Sequence, residues 1–420
     1  MSKKSTKFRT LTNIASHGMW RAKHDIPDMA PAFLRLSAFT ARAVKVELGR
    51  RIMAAKPDRF IAHSAIHTTG NNIGDMALPL TIRKVFDYQL GKQNWYLQPL
   101  WREINSANID FFNDRAKLML VGGGGLLLPD DKLSGWQWNI SYNTLKRLNI
   151  PLCIFAVGYN RFRGQLEFNS KFKDHIELTA EKSAFIGLRN SPSAERLAEY
   201  LSPSAQKKLR LQPCITTVLN RYYPSYKPQL RQPYTKEIAI NAAFDRAELR
   251  FGLDPNATEI QMAKLVQVAR WAHKNGWKIH LMYHAFEDAA FANYVKRAGV
   301  PFKHHWLPRM SPEDVFDLYT RIPIVLGMRG HAQMIPYGLG NMIFPVVTHD
   351  KLVYFLKEIG KPHWGTELKA ASAADDLIEK IRQFDRNRDS YFSEIEKSKD
   401  RLWAVCKKNI DELDKLFQLR

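Results

Sequence analysis

The feature that most constrains the fold is an alternation of short apolar runs with helix-like segments, which occurs twice along the chain. Apolar runs of about four to eight residues between Gly and Pro predict strands that are buried on both faces. Here they fall at residues 60–66, 117–121, 151–158 and 184–189, and again at 237–244, 278–284, 322–327 and 342–348. Strands that alternate with helices predict parallel sheets, so the sequence predicts an α/β protein with two such sheets.

A Pro-rich passage separates the two halves of the chain. Pro224, Pro228 and Pro233 fall within residues 222–234, and such a density of prolines cannot continue a helix or a central strand. We therefore predict an interdomain linker there. The predicted division is a basic N-terminal extension over residues 1–58, Rossmann-like domains over 59–225 and 226–365, and charged helices over 366–420.

Start signals place several of the predicted helices. Ser191 with Pro192, and Ser311 with Pro312, are typical of an N-cap followed by a first helical residue. Pro79 lies inside the helix predicted for residues 74–86, and a proline in a helix interior costs about 3 kcal/mol. Either this helix begins late, with Pro79 in its first turn, or it kinks.

The charge balance limits the classes of partner. The chain has 63 Lys and Arg residues against 41 Asp and Glu, a formal net charge of +22. This favours a nucleic acid, an anionic lipid surface or an anionic substrate, or it indicates simply a basic surface. Because no zinc-finger, RNA-recognition or basic-zipper pattern is present, we do not expect a nucleic-acid partner. The three widely spaced cysteines indicate a reducing cytosol and predict no metal site.

The N-terminal region offers a route to a membrane surface. No apolar run approaches the roughly 20 residues that cross a bilayer, and the basic N-terminus lacks the apolar segment of a secretory signal. Residues 33–56 place apolar side chains at near-helical spacing among Arg and Lys. They predict a helix that either docks on the inner leaflet of a membrane or packs on the first domain. We expect a cytoplasmic protein.

Two glycine-bearing segments follow predicted strands. In residues 69–75, Asn72 and Gly74 lie between a strand and a helix, where backbone N–H groups can face an anion. Asp75 is itself negative, so it suits a general base for a sugar hydroxyl, or it merely caps the helix. Gly123 and Gly124 belong to a run of four glycines that admits either another backbone or a ligand.

Basic side chains mark the ends of later strands. Arg189 can fork onto a carboxylate or phosphate, or form an ion pair at the rim of the sheet. Arg329 and His331 follow the strand predicted at 322–327, where open α/β sheets bind ligands. These two side chains share a face only if the junction is extended, because on a helix they point about 200° apart. His331 suits proton transfer or a structural hydrogen bond, and His284 ends another strand at the same rim.

Together these segments resemble the polysaccharide pyruvyl transferase family. The matching segments are GNNIGDMAL (70–78), VGGGGLL (121–127), RNSPSAERL (189–197) and residues 328–351, where an Arg-x-His after a strand precedes a helix, a strand and a lysine. The resemblance implies two Rossmann-like parallel-sheet domains facing across a cleft, as in GT-B glycosyltransferases, with the acceptor on the first and the donor on the second. It also implies transfer of an enolpyruvyl unit from phosphoenolpyruvate to two sugar hydroxyls, which forms a pyruvate ketal.

The resemblance further implies roles for single residues. Arg329 and Arg189 would hold the phosphate and the carboxylate of phosphoenolpyruvate. His331 would be the acid–base residue, assisted by Asp75, and Lys351 would have a supporting role. The other predicted substrate-binding residues are Asn72, Gly74, Gly123, Gly124, Ser191 and His284. No metal, and no cofactor besides the donor substrate, is implied.

Two positions depart from the family pattern. Asn190 stands where the family usually has Asp after the Arg, and Gln212 stands where it often has Asp before Pro. We expect each change to remove a carboxylate from the cleft, which bears on the acceptor. The implied acceptor is a cell-surface glycan, such as an exopolysaccharide, or its lipid-linked precursor, with peripheral contact to the cytoplasmic face of the inner membrane.

Other functions are compatible with the same architecture. A GT-B-type glycosyltransferase uses a nucleotide sugar, although the second half lacks paired glutamates spaced for a ribose and a sugar. Thermal stabilisation by UDP or GDP sugars, and not by phosphoenolpyruvate, would favour that interpretation. A non-catalytic basic binding protein is a third interpretation, and steeply salt-dependent binding to DNA would support it.

Overall fold

The computed structural model of the chain describes residues 32–56, 58–66, 72–226 and 235–420. Its first six strands form one parallel sheet in the order β2-β1-β3-β4-β5-β6. They are β1 (Phe60–Ala65), β2 (Trp95–Pro99), β3 (Ala116–Leu127), β4 (Leu152–Tyr159), β5 (Ser183–Leu188) and β6 (Leu209–Leu211). The order reverses between β1 and β3, so a crevice opens there at the carboxyl ends of the strands.

The second sheet is also parallel throughout, in the order β12-β11-β10-β7-β8-β9. Its strands are β7 (Glu237–Asn241), β8 (Lys278–Tyr283), β9 (Lys303–Trp306), β10 (Ile324–Gly327), β11 (Met342–Val347) and β12 (Thr366–Glu367). Numbered from its own first strand, this is the Rossmann order 3-2-1-4-5-6 reversed, with the switch between β7 and β10. The predicted fold class, two Rossmann-like sheets in a GT-B-like arrangement, is confirmed.

Sixteen α-helices lie in the described residues and cover the two sheets. They are α1 (Ala32–Ala55), α2 (Ile73–Leu90), α3 (Ser106–Arg115), α4 (Tyr142–Lys146), α5 (Ser170–Lys182), α6 (Ser191–Ala198), α7 (Pro203–Gln206), α8 (Leu219–Tyr222), α9 (Ala247–Phe251), α10 (Ala257–Lys274), α11 (Phe291–Arg297), α12 (Pro312–Thr320), α13 (His331–Gly338), α14 (Asp350–Glu358), α15 (Ala373–Arg386) and α16 (Arg388–Phe417). Both predicted C-terminal helices are present as α15 and α16.

The two halves share one apolar core, which fixes how they meet. Ile73 and Leu78 on α2 belong to the same buried cluster as Ile335 on α13 and Leu402 on α16. Helix α16 returns to the first domain, where Asn409 donates to the Leu211 carbonyl at 2.7 Å. A second cluster lies on the other face of the first sheet. Apolar packing at the seam therefore holds the carboxyl ends of the two sheets in a defined position.

Local expectations about helices had mixed outcomes. Helix α2 begins at Ile73 and passes through Pro79, so of the two alternatives for this helix the late start is wrong. The predicted N-cap at Ser191 is also wrong, because the Asn190 side chain caps α6 by accepting from the Ser193 N–H at 2.9 Å. Ser311 caps α12 as predicted. Residues 67–71 and 227–234, part of the loop motif and of the predicted linker, lie outside the described residues.

Candidate active site

The start of α2 is tied directly to the second domain. The Ile73 N–H donates to the His284 carbonyl at 3.1 Å, and Asn72 forms an isolated antiparallel bridge with Ala285. The Asn72 side chain also accepts from the Gly74 N–H at 2.9 Å and so caps the helix. These main-chain contacts bring Asp75, in the first turn of α2, to the carboxyl edge of the second sheet.

A network of charges fills the switch point of the second sheet. The Arg329 guanidinium donates to both Asp288 oxygens, with Nε 2.8 Å from Oδ2, and pairs through Nη1 with Asp245 at 2.9 Å. Asp245 also accepts two bonds of 3.1 Å from Nη2 of the buried Arg250. Burial alone would lower the pKa of Arg329, but Asp245 and Asp288 together raise it above its usual value. Two carboxylates therefore engage most of the donors of Arg329.

His331 is the first residue of α13 and faces the first domain. A Cβ placed on Gly74 would lie 2.6 Å from His331 Cβ and Cγ, so only glycine fits there. On its other side, His331 Nε2 lies 3.9 Å from the Cys214 Sγ. Burial, with the charges of Arg189 and Lys351, lowers the pKa of His331 to about 3. The imidazole is thus neutral at neutral pH and able to accept a proton.

Arg189 follows β5 and is buried, with no ion pair to any described residue. Only 5% of the residue is exposed, and its Nε and Nη2 have no hydrogen-bond partner among the described residues. A Cβ on Gly158 would lie 2.7 Å from Arg189 Cδ, so glycine on β4 makes room for the side chain. Burial lowers the pKa of Arg189, and Cys214 and Asp75 only partly offset this. Buried N–H groups without hydrogen-bond partners raise the free energy of the folded state, so we expect this side chain to bind an anion.

Lys351, in the first turn of α14, is a second cation at this site. Burial and the neighbouring Arg250 lower its pKa to about 7. The ammonium forms no ion pair with any described residue, and it lies 5.7 Å from the centre of the Phe162 ring. Its backbone N–H donates to Nδ1 of the buried His349 at 3.2 Å. Lys351 therefore sits near the point of half-protonation at neutral pH.

Asp75 is the carboxylate closest in character to a general base. Burial raises its pKa to about 6, against the opposing charges of Lys351 and Arg329. The same residue is influenced by Asp245 and Arg189, so charges from both domains act on one carboxyl group. His331, Arg189, Lys351 and Asp75 thus form a single cluster, which we call the cleft cluster.

The segment 160–169, which we call the strap, crosses from the first domain over the second. Phe162 is 4% exposed, and its ring centre lies 3.9 Å from that of His349. The guanidinium groups of Arg246 and Arg250 lie 4.8 and 5.2 Å from the ring centre. Next to it, Arg163 pairs with Asp350 at 2.5 Å and with Glu367 at 3.1 Å. The strap thereby covers one side of the cleft cluster.

Other predicted site residues lie behind or beside the cleft cluster. His284 is fully buried, and its Nε2 lies 2.6 Å from the Tyr319 hydroxyl. Gly123 and Gly124 have φ of +87° and +115°, and Gly123 packs under Ile82 of α2. The Ser191 N–H donates to Glu358 at 3.2 Å. Arg329 and His331 turn toward different partners, and the roles predicted for all these residues in substrate binding stay predictions.

The expectation that Asn190 and Gln212 face the cleft is wrong. Asn190 is 1% exposed and caps α6, and Gln212 is fully buried. The Gln212 amide donates to the Pro213 carbonyl at 3.0 Å and accepts from Asn409 at 3.0 Å. An amide can both donate and accept, whereas a carboxylate can only accept. These two departures therefore suit local packing and remove no charge from the cleft.

Sequence reasoning missed several members of the site. Asp245, Arg250 and Asp288 were not predicted, although Asp245 comes directly after a predicted strand. A carboxylate at that position, at the switch point of the sheet, was an available signal. Phe162 had no comparable signal, because only the fold brings the strap onto the second domain. His349 directly follows the strand predicted at residues 342–348, so it carried the same signal as Asp245.

The described residues lack two kinds of feature, a metal-binding cluster and a membrane-spanning helix. They contain no group of three or more His, Cys, Asp and Glu side chains arranged to hold a metal ion. Among them, no helix combines the length and apolar character needed to span a membrane.

Comparisons with known proteins agree with this architecture. A profile of the polysaccharide pyruvyl transferase family matches residues 72–340. No curated protein sequence matches the chain. A glycosyltransferase from Rickettsia africae is similar in structure, with a TM-score of 0.51 and 11% identity over 86% of this chain and 99% of that one. The S. aureus MnaA–UDP co-structure has a TM-score of 0.50 and 10% identity, over 86% of this chain and 98% of that one. Anabaena HepE in complex with UDP has a TM-score of 0.50 and 9% identity, over 85% of this chain and 100% of that one. At such identities the likeness shows the fold alone.

Proposed function

This chain belongs to the polysaccharide pyruvyl transferase family, and we propose that it moves an enolpyruvyl unit from phosphoenolpyruvate to two hydroxyls of a sugar. The product is a pyruvate ketal on a cell-surface glycan or on its lipid-linked precursor. The observation that carries the proposal is Arg189, a buried guanidinium with two N–H groups that have no partner among the described residues.

The charge of the cleft cluster supports a doubly acidic donor. Phosphoenolpyruvate carries a phosphate and a carboxylate, and Arg189 and Lys351 are two cations without a carboxylate partner among the described residues. Arginine binds planar or tetrahedral oxyanions through paired N–H bonds. Because Asp245 and Asp288 already engage Arg329, we assign the second direct contact with phosphoenolpyruvate to Lys351. Arg329 then supports the site through its ion pairs with these two carboxylates.

The reaction balances without an external acid or base. A proton is added to the methylene carbon of phosphoenolpyruvate, which leaves an oxocarbenium-like centre at the next carbon. One sugar hydroxyl attacks that carbon, the bond to the phosphate oxygen breaks, and the second hydroxyl closes the ketal. The two hydroxyls release two protons, of which one is retained in the new methyl group and the other leaves on inorganic phosphate.

The pKa values of the cleft cluster suggest how the protons move. His331, with a pKa lowered to about 3, is neutral but a weak base in the free protein, so we assign it acceptance of a hydroxyl proton only in the complex with the donor. Lys351, with a pKa lowered to about 7, can deliver one. Bound donor adds negative charge, which raises the pKa of both groups and favours a protonated Lys351 in the complex. Asp75, with a pKa raised to about 6, is ionised at neutral pH and suits orientation of the attacking hydroxyl.

The test is binding of phosphoenolpyruvate followed by turnover. Calorimetric titration of the wild type should give a defined affinity, and Arg189→Ala should lose it. His331→Ala should keep the affinity and give no phosphate release with a lipid-linked oligosaccharide. Arg196→Ala, at an exposed position on α6, is the matched control and should behave as wild type. No detectable phosphoenolpyruvate binding by the wild type would overturn the proposal.

A nucleotide-sugar reaction is the competing outcome of the same experiment. The similar MnaA and HepE structures contain UDP, so UDP and UDP sugars belong in the binding panel. Stabilisation by a UDP sugar, with none by phosphoenolpyruvate, would assign the cleft to a glycosyltransferase instead. Mass spectrometry distinguishes the products, because a ketal adds one pyruvate less one water, whereas a glycosyl transfer adds one sugar less one water.

A further inference from the structure

Helix α1 lies on the edge of the first domain and uses one face to pack there. Arg50, which is 9% exposed, donates through Nε and Nη2 to the Tyr96 hydroxyl at 3.1 and 2.7 Å. Met53 and Ala54 contact the buried cluster on the outer face of the sheet. The expectation that this helix packs on the first domain is therefore confirmed, and it fixes which face of the helix points outward.

The opposite face carries an exposed apolar stripe. Val44, Leu48 and Ile52 are 59%, 56% and 52% exposed. Side chains four residues apart lie above one another on a helix, so these three form one continuous line, which we call the α1 stripe. An isolated exposed leucine is ordinary, but a run of three aligned on one helix face indicates a docking surface.

Positive charge surrounds the α1 stripe. Lys45, Arg51 and Lys56 are exposed beside it, and Glu47 is the one acidic residue between positions 32 and 56. Glu47 pairs with Arg50 at 3.0 Å and with Arg102 at 2.9 Å, so its charge is more than matched. The neighbouring Trp101 is 48% exposed. An apolar line flanked by Lys and Arg, with a tryptophan alongside, has the chemistry of helices that lie in the interface of an anionic bilayer.

We propose that the α1 stripe docks this protein on an anionic lipid bilayer. The charge of the flanks selects this occupant, because a second copy of the chain would bring a second set of cations against the first. Residues 1–31 are also basic, with six Lys and Arg against two Asp, so they are poorly suited to cover the stripe. Attraction of each cation to anionic lipid adds to the burial of the three apolar side chains.

The place of α1 relates the docked membrane to the cleft. Trp101 and Arg102 follow the carboxyl end of β2, which is the edge of the first sheet that faces the cleft. The membrane would therefore lie beside the first domain, on the side assigned to the acceptor. This part of the inference rests on the proposed function, since it gives a lipid-linked oligosaccharide a short path from the bilayer to the cleft cluster.

Co-sedimentation with lipid vesicles tests the proposal. Wild type should bind phosphatidylglycerol–phosphatidylcholine vesicles at least about tenfold more tightly than pure phosphatidylcholine vesicles, and raised salt should weaken this binding. A Val44→Ser/Leu48→Ser/Ile52→Ser variant should lose at least about tenfold. The matched control, Leu253→Ser/Ile260→Ser/Leu416→Ser, changes three comparably exposed apolar side chains elsewhere and should change binding less than about twofold.

Two further measurements keep the test decisive. If the stripe variant fails to fold, Lys45→Gln/Arg51→Gln/Lys56→Gln replaces it and should flatten the salt dependence. Equal binding of wild type to both vesicle types, or unchanged binding of the stripe variant, would overturn the proposal. Light scattering tests the alternative that a second copy of the chain covers the α1 stripe. If the wild type is a dimer that the stripe substitutions dissociate, and vesicle binding is unchanged, this face belongs to a second copy. None of these readouts uses turnover, so they can fail independently of pyruvyl transfer.

Discussion

Substitution of Gly74 by alanine should displace His331 and lower the activity, while the stability of the fold changes little. Gly74 lies in the first turn of α2 and has an ordinary helical φ, so alanine is compatible with its backbone. The new Cβ would lie 2.6 Å from Cβ and Cγ of His331, whereas ordinary contacts begin near 3.4 Å. The imidazole or the helix must therefore retreat by about 1 Å, and such a displacement can cost about 10²-fold in rate.

The effect on stability should be small by comparison. Alanine favours a helix over glycine by about 1 kcal/mol. Overpacking at a domain seam costs about 1–3 kcal/mol, so the two terms partly cancel. We expect the melting temperature of Gly74→Ala to stay within a few degrees of wild type. Phosphoenolpyruvate affinity should change only a few-fold, because Arg189 and Lys351 are untouched, while kcat for phosphate release falls at least about 100-fold.

Gly49→Ala is the matched control. Gly49 is also a helical glycine, but no atom lies within 4 Å of the Cβ it lacks. We expect this variant to be slightly more stable than wild type and equally active. A Gly74→Ala enzyme with kcat within threefold of wild type would refute the contact between Gly74 and His331 as a determinant of catalysis.

Three further predictions test single charges. Arg189→Met should raise the free energy of unfolding by about 1–3 kcal/mol, and with it the melting temperature, because it removes a buried cation that has no ion pair among the described residues. It should also abolish stabilisation by phosphoenolpyruvate, and an unchanged response to the donor would contradict this. Asp75→Asn should be more stable than wild type at pH 7.5, by up to about 3 kcal/mol. Because burial raises the pKa of Asp75 from 3.8 to about 6, the native chain holds a proton through that window, and wild-type stability falls as pH rises across it. The difference in melting temperature should therefore shrink toward pH 4, and a constant difference would count against the shift. Arg163→Ala should cost no more than about 1 kcal/mol, since its ion pairs are half-exposed, yet speed amide hydrogen exchange in residues 160–169.

Local patterning predicted most of the fold. Eight apolar runs became the central strands, because a strand covered on both faces needs an unbroken apolar sequence. The strands β2, β6, β9 and β12, with sequences WYLQP, LRL, KHHW and TE, were not predicted. They lie toward the edges of the sheets, where half-exposed polar residues suffice and periodicity carries little information.

The candidate site was predictable only in part. His331, Arg189, Lys351 and Asp75 were predicted from motifs, and the structure brings them together. The partners of Arg329 were not, because Asp245 and Asp288 come from separate strand ends that only the sheet order makes adjacent. The cap at Asn190 was assigned to its neighbour, since Asn and Ser are equally good caps and nothing local distinguishes them.

The contacts across the cleft differ in kind from one end to the other. Beside His331 they are main-chain bonds, from Ile73 to His284 and between Asn72 and Ala285, while at the strap the buried Phe162 ring is flanked by half-exposed ion pairs of Arg163. Salt and water weaken the latter far more readily than the former. If the two domains separate, we expect them to rotate about the start of α2, so that the displacement is largest at the strap. A wide swing there would admit a bulky acceptor while the imidazole and Gly74 scarcely separate.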